Sequence, residues 1–354
     1  MTIGDLRDEA SEFVSAWCVY RWRLLAAVAA WFLPGTAVAA TASGGWAQFW
    51  WAVIGFSALP WWWVLRWVDE KYPQWSPFRT YGERPRFGRV EALPAVPYWV
   101  NLGVSVLGEP VGFSPKGHAG VLVTGMPGSG KTVLVKYLLA SWCAQGADVS
   151  IIDMKNGGDF RVFGEVGVPV YSGDVARAVE VLEKAEHLMG ERLKVLGSAP
   201  MGTPNNFWNL PAGQQPPLIV IAIDEIQDLL ETDGVPKEEK AAMERAGYLL
   251  RRLVKLGRSA GIVVVASTQK SDGKAIPTNF RDQMSIRISG RQNTREAARA
   301  ALGELRDDDP RPDDLTLLPP DIPGRFILAG MTAKAVLFQG IYVEDVGLLE
   351  MLGA

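Results

Sequence analysis

Eight consecutive residues of this chain have the types and the order needed to hold phosphate groups. They are Gly125, Met126, Pro127, Gly128, Ser129, Gly130, Lys131 and Thr132, and they match the pattern G-x-x-x-x-G-K-[ST]. The glycines let backbone N–H groups converge on phosphate oxygens, and the N-terminus of a following helix adds partial positive charge. Lys131 would reach the β- and γ-phosphates of ATP, and the Thr132 hydroxyl would ligate Mg²⁺. We therefore expect a nucleotide-binding site with ATP and Mg²⁺ as cofactors.

The segments on either side of this loop favour that interpretation over a glycine-rich turn that binds nothing. An apolar run typical of a strand, Val121–Val123, precedes the loop, and a helical pattern, Val133–Leu139, follows it. A strand, a loop and a helix in this order are the structural context that the motif requires.

Two acidic residues follow an apolar run farther along the chain. Residues 218–223 form that run, which is typical of a strand buried on both faces, and Asp224 and Glu225 come directly after it. Asp224 would hold Mg²⁺ through its water shell, and Glu225 would polarise the attacking water. A solvated strand end is the alternative. Together with the phosphate loop, the acidic pair predicts that ATP is hydrolysed as well as bound.

A third polar segment follows another apolar run. Residues 261–266 lead into Ser267, Thr268 and Gln269. At such a strand end Gln269 would lie near the γ-phosphate and sense hydrolysis. A polar cluster that caps a turn or a helix is the alternative.

The elements that would position these groups alternate between β and α patterns from Ala119 onward. This alternation predicts an α/β fold with a mostly parallel sheet and helices on both faces. The further elements predicted are two short strands around Gly108 within 98–113, strands at 148–152 and 168–171, helices at 175–195 and 238–255, and a loop at 201–217.

The N-terminal part of the chain has a different composition. No charged residue occurs from Leu24 to Leu65, and two apolar spans, about 24–42 and 46–65, approach the ~20 residues that a membrane-crossing helix needs. Basic residues flank both spans, which places both flanks in the cytoplasm. One alternative is a cleaved signal peptide, which the acidic residues among positions 1–12 and the second apolar span disfavour. The other is a buried helical hairpin of a soluble core, which the many tryptophans of this segment disfavour.

These patterns predict three parts. Residues 1–68 would contain an N-terminal segment and a two-helix transmembrane hairpin, residues 69–97 a proline-rich linker, and residues 98–354 the P-loop ATPase domain. We therefore expect a multi-pass protein of the cell membrane with its ATPase domain in the cytoplasm.

Composition limits the other interpretations. The net charge of −3 gives no global signature of nucleic-acid affinity, so any such partner must be argued from local patches. The cysteines, Cys18 and Cys143, are consistent with a reducing compartment, and two histidines are too few for a histidine-rich metal site.

Beyond the single motifs, the chain resembles the FtsK/SpoIIIE-type translocase ATPases, including the TraB-like transfer proteins of actinomycete conjugative elements. The resemblance runs from about residue 100 to 343, and its markers are residues 124–132, 153–155, 221–225, 257–262, 266–270 and 338–343. The combination of Arg258-Ser259-Ala260-Gly261-Ile262 with Thr268-Gln269 is more particular than the phosphate loop. The chain departs from the larger translocases at Lys270 and Ser271, where they usually have Arg-Pro.

The resemblance implies a RecA-like P-loop NTPase that assembles as a homo-oligomeric, hexameric ring and threads double-stranded DNA. ATP would lie between subunits, and an arginine of the neighbour would stabilise the transferring phosphoryl group, with Arg258 preferred over Arg287 and Arg281. Asp153 and Lys155 would couple the site to the neighbouring subunit or to DNA. No winged-helix domain follows the motor before Ala354, so we expect pumping without strong sequence choice.

A basic cluster ends the helix predicted at 238–255. It comprises Arg251, Arg252, Lys255 and Arg258. In a ring, the cluster would face DNA in the pore; a solvated helix end with favourably placed cations explains it equally well.

The function expected from the sequence is a membrane-anchored, ATP-driven translocase of double-stranded DNA. It would serve conjugative transfer or DNA segregation, with mobile-element transfer proteins as partners. One alternative is a type VII-like secretion ATPase with polypeptide cargo. Another is a nucleotide-dependent scaffold at the membrane, which the intact Lys131, Asp224 and Glu225 disfavour.

Overall fold

The structure is a computed structural model and describes residues 96–105, 108–211, 213–269, 276–303, 315–318, 322–331 and 335–353. The predicted transmembrane hairpin and nearly all of the predicted linker lie outside these residues. Within the described ranges, no helix is both long enough and apolar enough to cross a membrane.

The described residues form ten strands and eight α-helices. The strands are β1 (Val100–Ser105), β2 (Pro110–Phe113), β3 (Gly120–Thr124), β4 (Asp148–Asp153), β5 (Val170–Ser172), β6 (Ile219–Asp224), β7 (Ile262–Thr268), β8 (Ile286–Ser289), β9 (Arg325–Ala329) and β10 (Val336–Gly340). The helices are α1 (Lys131–Ala144), α2 (Arg161–Glu165), α3 (Val175–Gly197), α4 (Gln227–Leu230), α5 (Lys237–Ala260), α6 (Thr278–Arg281), α7 (Arg295–Leu302) and α8 (Asp345–Leu352).

All ten strands belong to one sheet, in the order β2-β1-β10-β9-β8-β3-β7-β6-β4-β5. The six strands from β8 to β5 pair in parallel, whereas β9, β10, β1 and β2 extend the sheet with antiparallel pairs. The prediction of a mostly parallel α/β sheet is therefore confirmed. Strand β7 lies between β3, which leads into the phosphate loop, and β6, which ends in the acidic pair.

Helices cover both faces of the parallel strands. On one face, side chains such as Val121 and Val220 pack in a core with residues of α1, including Leu138. On the other face, alternating residues such as Ile221 pack with α3 and α5, for example with Leu250. Because both faces are buried, these strands have continuous apolar sequences instead of alternating ones.

The structure differs from the prediction in several places, and the short helices α2, α4, α6 and α8 are among the unpredicted elements. The short strands β8, β9 and β10 were not predicted from residue patterns. Helix α5 continues to Ala260, five residues past its predicted end, and Gly257 lies so close to β7 that a Cβ there would be 2.9 Å from the Ile262 carbonyl oxygen. The loop predicted at 201–217 contains a 3₁₀ turn, Phe207–Asn209, whose two aromatic side chains are buried. Apolar anchoring fixes a segment that composition alone described as irregular.

Candidate nucleotide-binding site

The phosphate loop connects the carboxyl end of β3 to the first turn of α1. Three of its glycines have positive φ, namely Gly125 (153°), Gly128 (78°) and Gly130 (91°). A Cβ on Gly125 would lie 2.6 Å from the Ser129 Oγ atom. The backbone conformation therefore favours glycine at all three positions, and at Gly125 a Cβ would also displace the Ser129 hydroxyl, as expected for a loop whose N–H groups point at an anion.

Two segments that sequence reasoning did not single out hold this loop from outside. After β8, the Gly290 N–H donates to the Thr124 carbonyl (2.9 Å), and the Met126 N–H donates to the Arg291 carbonyl (3.0 Å). Before β9, the Gly324 N–H donates to the Ser129 carbonyl (2.8 Å). The segments after β8 and before β9 thus fix the loop's shape. The sequence signal for this role is slight, since it consists of single glycines at strand ends.

Lys131 and Glu225 form a buried ion pair at the centre of the site. The Lys131 Nζ atom donates to Glu225 Oε1 at 3.1 Å, and their side chains are 6% and 4% exposed. The second oxygen of Glu225 accepts hydrogen bonds from the Gln227 side chain (2.7 Å) and from the Gln269 backbone N–H (3.0 Å). Both oxygens of Glu225 therefore have partners.

The backbone and the charge of Glu225 are both unusual. Its φ of 52° lies in the left-handed region, which costs a non-glycine residue about 1–3 kcal/mol. Burial alone would raise the pKa of Glu225, but the charge of Lys131 and the hydrogen bonds from Gln227, Gln269 and Lys131 together lower it below its ordinary value. The carboxylate is thus held ionised in a strained conformation, a combination that points to function.

Asp224 is buried beside this pair. The Ser267 hydroxyl donates to Asp224 Oδ1. Burial raises the pKa of Asp224, and this effect exceeds the opposing influences of Ser267 and Lys131. A dication bound next to Asp224 would favour its ionised form.

These residues fit Mg²⁺ bound together with a nucleotide. Mg²⁺ is usually held by one or two carboxylates, substrate phosphates and several waters. Thr132 in the first turn of α1 and Asp224 on β6 would be its protein-side contacts. In the part of the chain that the structure describes, no group of three or more His, Cys, Asp or Glu residues could hold a metal by itself. When bound, the ion would neutralise phosphate charge.

Gln269 lies next to the site, as its position after β7 predicts, but the contact observed is made by its backbone. The structure adds Gln227, a buried residue that sequence reasoning missed. Its side-chain N–H donates to Glu225, and its carbonyl oxygen accepts from the Thr268 hydroxyl. Gln227 therefore links Glu225 to the end of β7. No sequence pattern marked this residue.

Arg258 and the phosphate loop of the same chain lie at opposite ends of the parallel strands. It is exposed, and a Cβ on Gly117, just before β3 begins, would be 4.0 Å from Arg258 Nη2. The amino ends of the parallel strands are at this edge of the sheet, whereas the phosphate loop follows their carboxyl ends. Arg258 could therefore act only on the site of another copy, and that role stays a prediction.

The other candidate cations have local partners. Arg287 donates to the Met284 and Arg281 carbonyls at 3.1 and 2.9 Å. In the basic cluster, Arg252 forms an ion pair with Glu186 of α3 at 2.8 Å. Part of the cluster therefore joins helices α5 and α3, and its contact with DNA stays a prediction.

The arrangement brings together groups that could bind and hydrolyse a nucleoside triphosphate. Lys131 and the loop N–H groups would bind phosphates, and Glu225 would accept a proton from an attacking water. Phosphate oxygens would compete with Glu225 for Lys131, and loss of that partner would leave the carboxylate more basic.

The fold and this site define a P-loop ATPase domain, and comparison with known proteins agrees. Residues 121–291 match the AAA family, described as the ATPase family associated with various cellular activities. The prediction of an ATPase domain is therefore confirmed.

More particular relatives confirm the resemblance to FtsK/SpoIIIE-type ATPases. The chain is 29% identical over 188 residues to the FtsK domain-containing protein YdcQ of Bacillus subtilis (strain 168), covering 48% of this chain and 33% of YdcQ. It is 25% identical over 203 residues to the DNA translocase FtsK of Campylobacter jejuni (serotype O:23/36, strain 81-176), covering 54% and 20% of the two chains. The chain thus spans only a minor part of the length of these curated relatives.

Solved structures show the same fold. The conjugation coupling protein TcpA of pCW3, in its monomer form with ATPγS, matches with a TM-score of 0.67 at 23% identity, over 78% of this chain and 75% of that chain. The cytoplasmic domain of the type VII secretion ATPase EccC of Thermomonospora curvata matches with a TM-score of 0.55 at 21% identity, over 72% and 30%. At these identities the likeness is one of fold alone.

Proposed function

We propose that this chain is an ATP-driven translocase of double-stranded DNA that works as a hexameric ring. The predicted hairpin within residues 1–68 anchors it in the cell membrane, with the motor in the cytoplasm. Its biological role is conjugative transfer or DNA segregation, in which it works with other transfer proteins of a mobile element. The observation that carries the proposal is the buried cluster of Lys131, Asp224 and Glu225 at the phosphate loop of an FtsK-type ATPase domain.

The geometry of the cluster supports hydrolysis. A scaffold that only binds a nucleotide has no need of an ionised, strained carboxylate beside the phosphate loop. Glu225 is ionised and has a fixed orientation, which suit a group that orients the attacking water, and displacement of Lys131 by phosphates would make it a stronger base. Thr132 and Asp224 would hold Mg²⁺.

Duplex DNA as the cargo is supported by the relatives. The Campylobacter jejuni relative is a DNA translocase, and the structural neighbour from pCW3 is a conjugation coupling protein. The fold likeness to EccC supports polypeptide cargo as the second candidate.

ATP turnover by the full chain, with and without long duplex DNA, tests the proposal. Unrelated DNA sequences should stimulate turnover equally, and Lys131→Ala should abolish it, because the amine that binds the phosphates is lost. Lys136→Ala, which changes a lysine one turn later in α1 that pairs with Asp345, is the matched control and should stay active. Absence of DNA stimulation in assembled rings would contradict DNA cargo, and stimulation by a substrate peptide would favour polypeptide cargo.

A further inference from the structure

Asp153 lies beside Asp224 at the carboxyl ends of two neighbouring strands. The two residues are register partners in the parallel pair of β4 and β6. Two residues earlier, Ile151 and Ala222 belong to the core that faces α1, so strand alternation directs both carboxylates toward the same face. Since the phosphate loop leads into α1, Asp153 is on the side of the sheet where the nucleotide binds.

One oxygen of Asp153 has a structural role. Asp153 Oδ1 accepts a hydrogen bond from the Asn156 N–H at 3.1 Å, and Asn156 has a positive φ of 53°. This contact holds the turn that follows β4. It requires one acceptor oxygen but no negative charge.

The other oxygen has no role within the described part of the chain. Asp153 is 1% exposed, and its Oδ2 atom is buried without a hydrogen-bond partner among the described residues. Burial of an unpartnered carboxylate oxygen is costly, so such an atom indicates a missing donor or cation.

The neighbours of Asp153 indicate which donor is missing. Ser267, Asp224 and Asp153 form a row across β7, β6 and β4, and Ser267 donates to Asp224 from one side. Asp153 flanks Asp224 on the other side. Mg²⁺ retains several waters when it binds with a nucleotide, and ordered waters need fixed acceptors.

We propose that Asp153 is a positioning residue for the hydrated Mg²⁺ of the nucleotide site, with its Oδ2 atom accepting a hydrogen bond from a water of the metal's shell. The inference rests on the proposed function, since it requires a nucleotide and Mg²⁺ bound at Thr132 and Asp224. Asp153 touches neither phosphate nor metal in this role.

The affinity for Mn²⁺, used as a paramagnetic probe in place of Mg²⁺, tests this role by electron paramagnetic resonance on the full chain with ATPγS. Asp153→Asn keeps an oxygen for the Asn156 N–H but loses the charge. We expect it to weaken Mn²⁺ binding about 10-fold, the lower limit for loss of an outer-shell partner. The affinity for ATPγS in EDTA should stay unchanged.

Asp159→Asn is the matched control, because it removes a half-exposed carboxylate from the same connecting segment, where Asp159 lies 3.8 Å from Lys155. It should alter neither affinity. Unchanged Mn²⁺ affinity in Asp153→Asn would overturn the inference. So would an equal loss of ATPγS affinity in EDTA, which would make Asp153 a structural support of the loop. If the unmodified chain bound no Mn²⁺ with ATPγS, the proposed function itself would fail.

Discussion

The amine of Lys131 has two competing partners in this site. In the structure it pairs with Glu225 at 3.1 Å, and when ATP is bound at the phosphate loop it would contact the phosphates instead. A buried carboxylate that loses its cation becomes a stronger base. Nucleotide binding at the loop would therefore raise the basicity of Glu225 at the moment when a water must be deprotonated.

Glu225→Gln should separate binding from hydrolysis. Glutamine keeps the size of the side chain and one acceptor oxygen but cannot accept the proton, so single-turnover hydrolysis should fall about 10²–10⁴-fold. The affinity for a fluorescent ATP analogue should stay within a few-fold of that of the unmodified chain. Glu231→Gln, an exposed acid farther along the chain, serves as the control. Undiminished hydrolysis in Glu225→Gln would show that the base is another group.

Cys143 should be unreactive in the folded chain. Burial, with a smaller contribution from Asp148, raises its pKa from the ordinary value of 9.0 to about 11. Since the thiolate is the nucleophile, alkylation by iodoacetamide at pH 8 should be about 100-fold slower than in the urea-unfolded chain. The rate in the folded chain should increase about tenfold with each unit of pH up to about 11. Peptide mass spectrometry separates Cys143 from Cys18, and equal rates in the two states would contradict the prediction.

At the scale of the elements, the junction between α5 and β7 depends on Gly261. This residue ends α5 with a φ of 69°, and a Cβ there would lie 2.3 Å from the buried ring of Phe207. Arg192 of α3 reinforces the junction by donating to the carbonyls of Ala260 (3.0 Å) and Pro217 (2.8 Å). The junction fixes the start of β7, and thereby the position of Thr268 at its other end.

Gly261→Ala should destabilise the fold more than a matched change. Gly146→Ala, after α1, introduces the same left-handed strain (φ 81°) with no atom within 4 Å of the new Cβ, and should cost about 1–2 kcal/mol. Gly261→Ala adds overpacking against Phe207, for a further ~1–3 kcal/mol. Urea unfolding of both variants measures the difference. Equal decreases in the free energy of unfolding of the two variants would mean that the turn around Phe207 shifts at no cost, which would contradict the prediction.

At the scale of the whole molecule, the two edges of the sheet carry different parts of the proposed machinery. The phosphate loop and the acidic pair follow the carboxyl ends of the parallel strands, and Arg258 lies at their amino ends. A single copy cannot bring these groups together. A ring that places the Arg258 edge of one copy against the phosphate loop of the next would complete the site between subunits.

Arg258→Ala should then reduce kcat about 10³-fold or more without changing ATP affinity, because the arginine would contact only the transferring phosphoryl group. Lys240→Ala, an exposed cation near the other end of the same helix, is the control. Mixing the inactive Arg258→Ala and Lys131→Ala variants should restore turnover, since a mixed ring contains sites with both groups intact. If the mixture stays inactive although mixed rings form, Arg258 does not act in trans.

The sequence was most informative where the residues of a functional site are adjacent in the chain. The phosphate loop is one run of eight residues between a strand and a helix, and the acidic pair follows directly on a buried strand. In both cases the backbone itself sets the spacing of the reactive groups. The apolar spans of the hairpin within residues 1–68 are also continuous runs in the sequence, but they lie outside the described residues, and the hairpin stays a prediction.

The tertiary structure alone decided which separate segments meet. Gln227 reaches Glu225 and Thr268 because β6 and β7 are neighbours, and Gly324 holds the phosphate loop because the short strands β8 and β9 continue the sheet beside β3. Such short strands lack a distinctive period, and their pairing depends on long-range register. Asp153 illustrates the same limit. Its residue type was visible in the sequence, but its unpartnered oxygen beside Asp224 exists only because β4 and β6 align in register, which no local pattern encodes.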